Sequence, residues 1–431
     1  MIDLPFWMSV SFLFILGTFI GSFLNVCIYR IPQHDQLKDQ LRGLLSPPSS
    51  CPGCHSRIRW YDNVPLIGWL RLKGRCRDCQ LPISIRYPLV ELFNGLIFVV
   101  LFWFEIPHEW SNNITHSLFY DADFHLTYST WSRSAQSWHL IAMYCYHLVL
   151  LEALFVASMI DFDEMIIPDG STFPAMFVGF AGAFASGHFF LNPVWFQNNR
   201  LVNDFSIFAP DSLKFLFQPI DLSTWITTWG HTHGLLVSLC GFIVGGGIVW
   251  VVRIVGKWVL RQEAMGFGDV ILMAMIGSFI GWQPVIVIFF IAPVCALVVV
   301  MISFLFHRNR EIPYGPYLSL ATVIVLLGWR QIGPTATRIF SLGPIIIFFG
   351  FVALLFLVVT LQLMQILKRL LGIPLYPPDG ICDEWTSADQ LTYMAGEQVD
   401  SVNRGWRSPE LDQRTIELSG RGETQEQRWR S

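Results

Sequence analysis

The segment Gly266 to Ile280, GFGDVILMAMIGSFI, is the most informative indication of the architecture of this chain. It places one carboxylate, Asp269, directly before an uncharged apolar run. A second carboxylate, Asp161, ends another apolar run, Tyr144 to Ile160. A charge at the edge of a membrane helix is costly unless it is paired or used, so both acids are candidate functional residues. Two acids at one membrane depth predict an aspartyl-protease carboxylate pair built between transmembrane helices.

The composition of the chain argues against a soluble protein. Of the 431 residues, 53% are hydrophobic and only 14% are charged, and the mean hydropathy is +0.48. Apolar runs of about 20 residues are typical of transmembrane helices. We therefore expect an all-α polytopic membrane protein with about eight or nine transmembrane helices and a small zinc-knuckle-like loop domain. The predicted spans are 6–28, 88–104, 139–160, 171–191, 235–254, 270–282, 284–306, 316–329 and 341–366.

Basic residues near the span ends predict the orientation, because cytoplasmic loops are enriched in Lys and Arg. Loop 30–87 is rich in both, whereas loop 105–138 holds Glu105 and several other acids but a single arginine. We expect the first loop inside, the second outside, the N-terminus outside and, for nine spans, the C-terminus inside. Eight spans would require one short segment to be re-entrant. In this topology Asp161 and Asp269 both lie at the cytoplasmic face.

The same pattern divides the chain into five parts. No charged segment precedes the first apolar run, so we interpret that run as a retained helix rather than a cleaved signal. The tail mixes both signs of charge without a long apolar face, and we expect it to be disordered or loosely helical. The parts are a first transmembrane helix (1–29), a cytoplasmic loop domain (30–87), a membrane domain carrying the acids (88–330), an additional transmembrane helix (331–370) and a polar cytoplasmic tail (371–431).

Four cysteines in the first loop form two CxxC pairs. Cys51 and Cys54 are separated from Cys76 and Cys79 by a segment of 21 residues. Paired CxxC turns at this kind of spacing favour tetrahedral zinc, because each turn presents two thiolates to one ion. A reducing cytoplasm argues against disulfides. Zinc held by four cysteines has no open coordination position, so we expect a structural role; redox chemistry or a chance pattern are the alternatives.

Further acids and two glycines surround the pair. Asp163, Glu164 and Asp169 follow Asp161, and Glu263 precedes the GFGD sequence. They are either solvated loop residues or a surface that attracts a basic substrate. Gly266 and Gly268 permit close approach of a neighbouring helix. The alternative role for Asp269 itself is a helix cap, since an acid in the first turn stabilises the helix dipole.

Several segments together resemble the bacterial prepilin peptidases, the type IV leader peptidases. They occur in matching order over about residues 10–330. They are Gly21-Ser-Phe-Leu-Asn25-Val with Tyr29-Arg30-Ile-Pro32, the two CxxC pairs, Arg86-Tyr-Pro88-Leu-Val-Glu91, Asp161 with Ile167-Pro168-Asp169, the GFGD sequence, and Ile312-Pro-Tyr-Gly315-Pro316.

The resemblance implies a bifunctional enzyme of the bacterial inner membrane. Such an enzyme removes the short basic leader of type IV prepilins or type II secretion pseudopilins, and many members then methylate the new N-terminus with S-adenosylmethionine. The catalytic pair maps onto Asp161 and Asp269. The methyltransferase function maps onto the region 21–91, where the candidates are Asn25, Arg30 and Glu91. No glycine-rich nucleotide loop accompanies them in the sequence.

Two alternative functions are also compatible with the sequence. One is an intramembrane aspartyl protease of the preflagellin-peptidase or presenilin type, which shares the acid pair but lacks a cysteine loop. The other is a transporter or assembly scaffold with buried acids, which such proteins usually hold near the bilayer midplane. Nucleic-acid binding has little support, since topology and contact with anionic membrane lipid explain the basic loop.

Overall fold

The protein is all-helical in its membrane region. The computed structural model describes residues 5–45, 49–106, 133–207, 210–218, 223–260, 265–305, 313–371, 398–399 and 406–407. The helices are α1 Phe6–Arg30, α2 Leu37–Leu45, α3 Ile67–Arg71, α4 Arg86–Glu105, α5 Arg133–Glu164, α6 Asp169–Ser186, α7 Asn199–Ser206, α8 Ser223–Thr228, α9 Gly230–Leu260, α10 Phe267–Ile280, α11 Trp282–Leu305, α12 Gly315–Phe340 and α13 Ile345–Leu370. A short strand pair, β1 Gln398–Val399 and β2 Trp406–Arg407, lies in the tail.

Each predicted span coincides with a helix of the structure. Among the residues that the structure describes, six helices are long and apolar enough to cross a membrane: α1, α4, α5, α9, α11 and α13. The other three predicted spans correspond to α6, to the shorter apolar helix α10, and to α12. These three pack among the six, which confirms the expected polytopic helical fold. The helix α12 continues to Phe340, so the predicted domain boundary at 330 falls inside it.

The centre of the bundle is formed by α10 and its neighbours. From Asp269 to Ile280 every residue of α10 except Ile271 is buried. Helices α9 and α10 approach backbone to backbone, since a Cβ added at Gly241 would lie 2.0 Å from the Gly277 carbonyl oxygen. Small residues at such contacts let membrane helices gain van der Waals packing. This contact anchors the helix that carries Asp269 inside the bundle.

The position of Glu105 differs from the sequence-based expectation. Glu105 was predicted to lie in an outer loop. In the structure Glu105 is the last residue of α4 and is only 1% exposed. Its Oε1 lies 2.6 Å from Nδ1 of His147 on α5, in a buried hydrogen bond. A buried carboxylate requires such a partner, and the distance of 42 residues along the chain hid this pairing. The remainder of that loop, 107–132, lies outside the described residues.

A largely apolar groove of about 680 Å³ runs between α1, α5 and α6. Glu152 on α5 lies along it, and neither carboxylate oxygen forms a hydrogen bond within the described part of the chain. Nine residues separate Glu152 from Asp161, which is two and a half helical turns. The two acids therefore point to opposite sides of α5, and the groove is separate from the acid pair.

Candidate active site

Asp161 lies in the last turn of α5 and is only 5% exposed. Its Oδ2 accepts a hydrogen bond of 3.1 Å from the backbone N–H of Gly315, at the start of α12. The chain leaves the helix at Met165, which has a positive φ of 55° and donates its N–H to the Asp161 carbonyl. Residues 166–168 are not helical, and Pro168 itself is extended before α6 begins at Asp169. This agrees with the rule that a proline disfavours helix at the residue before it.

Asp269 faces Asp161 from the first turn of α10. It is 7% exposed, and the two carboxyl groups are close enough to interact electrostatically. The first-turn position also suits the helix dipole, so the capping role and the paired role are compatible here. Tyr314, directly before α12, is a further neighbour of Asp269. The ends of three helices thus bring two buried acids together at one end of the bundle.

The glycines around the pair differ in how much space they have. A Cβ added at Gly315 would lie 2.4 Å from Oδ2 of Asp161, so a side chain there would displace the carboxylate. At Gly268 the nearest atom would be Cβ of Ile167 at 3.0 Å, which is tight. At Gly266 the nearest atom would be 3.6 Å away, an ordinary contact. Of these three glycines, Gly315 has the least space. The sequence showed Gly315 only as part of a family segment and gave no sign of its contact with Asp161.

The predicted substrate-binding acids have different surroundings. Asp163 is bound to Arg86 by two hydrogen bonds, one of them 2.9 Å long. Glu164 and Asp169 are both partly exposed, and Asp169 is the first residue of α6. Glu263 lies outside the described residues. Two of the four acids therefore line the exit from α5, while a third is engaged with an arginine.

Gln40 on α2 is a site neighbour that sequence reasoning missed. It is buried, and its Oε1 accepts a 2.6 Å hydrogen bond from the backbone N–H of Gly170, at the start of α6. Its amide nitrogen donates to the His34 carbonyl. A single glutamine within a polar loop carries no sequence signal for such a contact. The loop after α1 thereby fixes the helix that follows Asp161.

The four loop cysteines converge on one point, and all four sulfur atoms lie within 4.8 Å of one another. The Sγ of Cys51 is 3.6 Å from that of Cys79, and the Sγ of Cys54 is 3.9 Å from that of Cys76. A zinc ion with bonds of about 2.3 Å to four sulfurs requires edges of about 3.8 Å. All four thiols are free, so the arrangement fits a tetrahedral metal ion and not a disulfide.

The local structure of the two CxxC turns is the same. The residue after the second cysteine has a positive φ in both, 56° at His55 and 63° at Gln80. Each of these residues donates its N–H to the carbonyl of the first cysteine in its turn. Hydrogen bonding by the side chain and then the backbone of Ser56 lowers the pKa of Cys54 to about 6. A lowered pKa favours the thiolate of Cys54, which is the form that binds metal. Although a backbone hydrogen bond at Leu81 lowers it, the pKa of Cys79 is raised to about 12 by burial and by hydrogen bonds with the other three thiols.

The three methyltransferase candidates each contact a backbone group. The Asn25 amide donates to the Tyr87 carbonyl at 3.1 Å, and Arg30 donates to the Gly43 carbonyl at 3.0 Å. Glu91 accepts the N–H of Leu66 at 2.8 Å. Within the described chain, Oδ1 of Asn25 is buried without a hydrogen bond, which leaves one free acceptor. One acceptor does not make a cofactor site, so these three residues alone do not fit S-adenosylmethionine.

Two family models match the chain. One, the Bacterial Peptidase A24 N-terminal domain, matches residues 15–104, and the other, the Type IV leader peptidase family, matches residues 216–302. The first contains the cysteine loop and the second contains Asp269, while Asp161 lies between them. No solved structure matches the chain.

Curated relatives cover most of the chain. A "Prepilin leader peptidase/N-methyltransferase" of Stutzerimonas stutzeri is 30% identical over 340 residues, which is 74% of this chain and 90% of the relative. A "Type 4 prepilin-like proteins leader peptide-processing enzyme" of Escherichia coli O78:H11 is 32% identical over 321 residues, 72% of this chain and 90% of the relative. A Pseudomonas aeruginosa protein with the first of these names is 28% identical over 343 residues, which is 74% of this chain and 91% of the relative.

Proposed function

The chain belongs to the type IV leader peptidase family, and we propose that it is a multi-pass inner-membrane aspartic endopeptidase. Its substrates are type IV prepilins or type II secretion pseudopilins. It removes their short basic leader at the cytoplasmic membrane face and then methylates the new N-terminus. The observation that carries the peptidase assignment is the buried pair of Asp161 and Asp269, supplied by two helix ends.

The paired acids suit peptide hydrolysis. Like charges in close contact cannot both ionise cheaply, so the pair holds one proton between its two carboxyl groups. The ionised carboxylate takes a proton from water, and the resulting hydroxide oxygen attacks the peptide carbonyl carbon. The protonated acid donates to the carbonyl oxygen, and a proton then passes to the leaving amine as the C–N bond breaks. Burial by α10 and α12 limits competing solvation of both acids.

The substrate leader is basic, and acids near the pair supply the complementary charge. Glu164 and Asp169 are partly exposed beside the exit from α5, and we assign leader attraction to them. Asp163 and Glu263 belong to the same predicted set. Asp163 is the weakest member, because its carboxylate is already bound by Arg86. The basic character of loop 30–87 supports an active site on the cytoplasmic side.

The proposed function includes two cofactors, zinc and S-adenosylmethionine. Cys51, Cys54, Cys76 and Cys79 would hold zinc, which stabilises the loop and takes no part in hydrolysis, since four thiolates fill its coordination. S-adenosylmethionine supplies the methyl group for the second reaction when it is bound. Asn25 is the strongest of the methyltransferase candidates, because its Oδ1 remains an unpaired acceptor. Arg30 and Glu91 are candidates for holding the surrounding backbone, and we derive no methylation step through any of the three.

The first alternative, a preflagellin-peptidase or presenilin type of protease, would not require a cysteine loop. The match of residues 15–104 to the bacterial N-terminal domain argues against it. The scaffold or transporter alternative predicts no hydrolysis at all. Both alternatives are separated from our proposal by a cleavage assay.

The assay co-expresses a prepilin in membranes with wild type, Asp161→Asn, Asp269→Asn or Asp211→Asn. The last is a matched control, because Asp211 is an exposed residue far from the pair in sequence. We expect cleavage by wild type and the control and none by the two pair variants at equal protein level. Mass spectrometry of the processed N-terminus reports methylation. Cleavage by either pair variant would remove that residue from the mechanism, and no cleavage by wild type would favour the scaffold.

A further inference from the structure

We propose that Arg86 is a positioning residue for the peptidase reaction. Through its ion pair with Asp163 it holds the last turn of α5, and thereby Asp161, in place against α10 and α12. This inference rests on the proposed peptidase function and adds a residue to it. It also gives Asp163 a role different from attraction of the leader.

The ion pair has the geometry of a strong contact. Nη1 of Arg86 donates to Oδ1 of Asp163 at 2.9 Å, and Nη2 donates to Oδ2. The side chains are 27% and 25% exposed, so the pair is largely removed from solvent. A two-bond contact between a guanidinium and a carboxylate fixes orientation as well as distance. Arg86 therefore restrains the direction of Asp163 and of the helix turn that carries it.

The ion pair acts on the turn that contains Asp161. Asp163 is two residues from Asp161, and the helix ends directly afterwards at Met165 with a positive φ. A helix end without continuing backbone hydrogen bonds frays easily. The ion pair provides a restraint at this end, on the side opposite the Gly315 N–H that binds Asp161. Asp161 is thus held from α12 directly and from α4 through Asp163.

Arg86 itself has a firm support. It is the first residue of α4, and its N–H donates to the Ser84 hydroxyl at 3.3 Å. The residues just before it are held by hydrogen bonds within the loop. The N–H of Ile83 donates to the Gly74 carbonyl at 2.7 Å, and Nε1 of Trp69 donates to the Ile83 carbonyl at 3.0 Å. Packed side chains and hydrogen bonds of this kind can carry coupling between distant parts of a protein. The cysteine loop thereby stabilises the base from which Arg86 reaches α5.

Kinetics distinguish positioning from leader binding. An acid that attracts the leader contributes to substrate binding, so its loss raises KM with little change in kcat. A residue that positions Asp161 contributes to the reaction itself, so its loss lowers kcat. Replacement of Arg86 separates the two most clearly, because it removes the positive charge bound to the Asp163 carboxylate and leaves that carboxylate in place. Leader attraction by Asp163 would then improve, whereas positioning would be lost.

The test measures kcat and KM for a purified prepilin with wild type, Arg86→Gln, Arg86→Lys, Asp163→Asn and the reversed pair Arg86→Asp with Asp163→Arg. Lys73→Gln is the matched control, since Lys73 is an exposed cation in the same loop. Asp161→Asn provides the inactive reference. We expect the Gln and Asn variants to lose about 10-fold to 100-fold in kcat with little change in KM. Arg86→Lys keeps the positive charge but cannot donate two parallel hydrogen bonds to one carboxylate. Its kcat is expected to lie between those of wild type and Arg86→Gln.

The reversed pair is expected to recover part of the lost kcat, at a melting temperature equal to that of the single variants. Recovery by charge reversal is a result that general destabilisation does not produce. Unchanged kcat in both single variants, a higher KM alone in Asp163→Asn, or a reversed pair no better than the singles would each overturn the proposal. Absence of cleavage by wild type would instead contradict the peptidase function.

Discussion

The helix that carries Asp269 and the loop that carries the four cysteines are both short, yet they are stabilised in different ways. In α10 almost every side chain from Asp269 onward is buried, and the helix touches α9 backbone to backbone. In the loop, Trp60 is 82% exposed and Leu70 is 66% exposed, so little apolar core exists. Small units without a core require metal ions or other cross-links. The bundle therefore depends on steric fit, whereas the loop depends on a few specific contacts.

The largest expected effect on activity comes from a substitution that disturbs the steric fit of the helical bundle. Gly315→Ala would place a Cβ 2.4 Å from Oδ2 of Asp161, where no ordinary contact is possible. Because catalysis is sensitive to displacements of about 1 Å, we expect prepilin cleavage to fall by about 100-fold. Gly247→Ala is the matched control, since nothing lies within 4 Å of its added Cβ. Wild-type activity of Gly315→Ala would mean that the Asp161 carboxyl group moves without cost.

Loss of a metal ligand is expected to act mainly on the loop. Cys51→Ser removes one of four converging thiols, so we expect loss of bound zinc and faster proteolysis within residues 49–85. The melting temperature of the helical bundle is expected to change less than the protease resistance of the loop, because the loop contacts the bundle at few points, such as the bond from the Leu66 N–H to Glu91. Metal analysis and limited proteolysis check this, with Cys240→Ser on α9 as the control. Equal protease resistance without metal would contradict a structural role for zinc.

The smallest effect concerns the ion pair of Asp62 and Arg77. The Arg77 guanidinium donates to the Asp62 carboxylate and holds the pKa of that carboxyl below its usual range. The stabilisation is therefore present above the pKa of Asp62 in the unfolded chain, about 3.9. It is lost as the pH falls through the lower pKa of the folded loop.

At pH 7 we expect Arg77→Gln to raise the rate of loop proteolysis by about twofold, because the Arg77 side chain is 35% exposed and a partly solvent-screened ion pair contributes little. In acid below the folded pKa of Asp62, an acid-active protease should cleave wild type and variant equally. Lys73→Gln is the control that changes the same charge elsewhere in the loop. A difference that persists in acid would show that Arg77 acts instead through its contact with the Tyr61 ring, 5.5 Å away.

Much of the fold could be predicted from the chain because its signals are local. Apolar runs indicated the long helices of the membrane region. The two CxxC turns indicated a metal site, and the four sulfur atoms do converge. The contacts around the acid pair were not predictable in this way. Asp161 meets Gly315 across 154 residues, and Arg86 meets Asp163 across 77.

Local signals in the amino-acid sequence were sufficient to predict the membrane class, the approximate number of helices, the paired cysteine turns and the two acids at helix ends. Hydropathy and short-range turn chemistry act within a few residues, so they can be read along the chain. Only the tertiary structure decided which groups surround Asp161, that Glu105 is buried with His147, and that Asp163 belongs to Arg86. These depend on the rotation and approach of whole helices, which packing of the complete bundle sets.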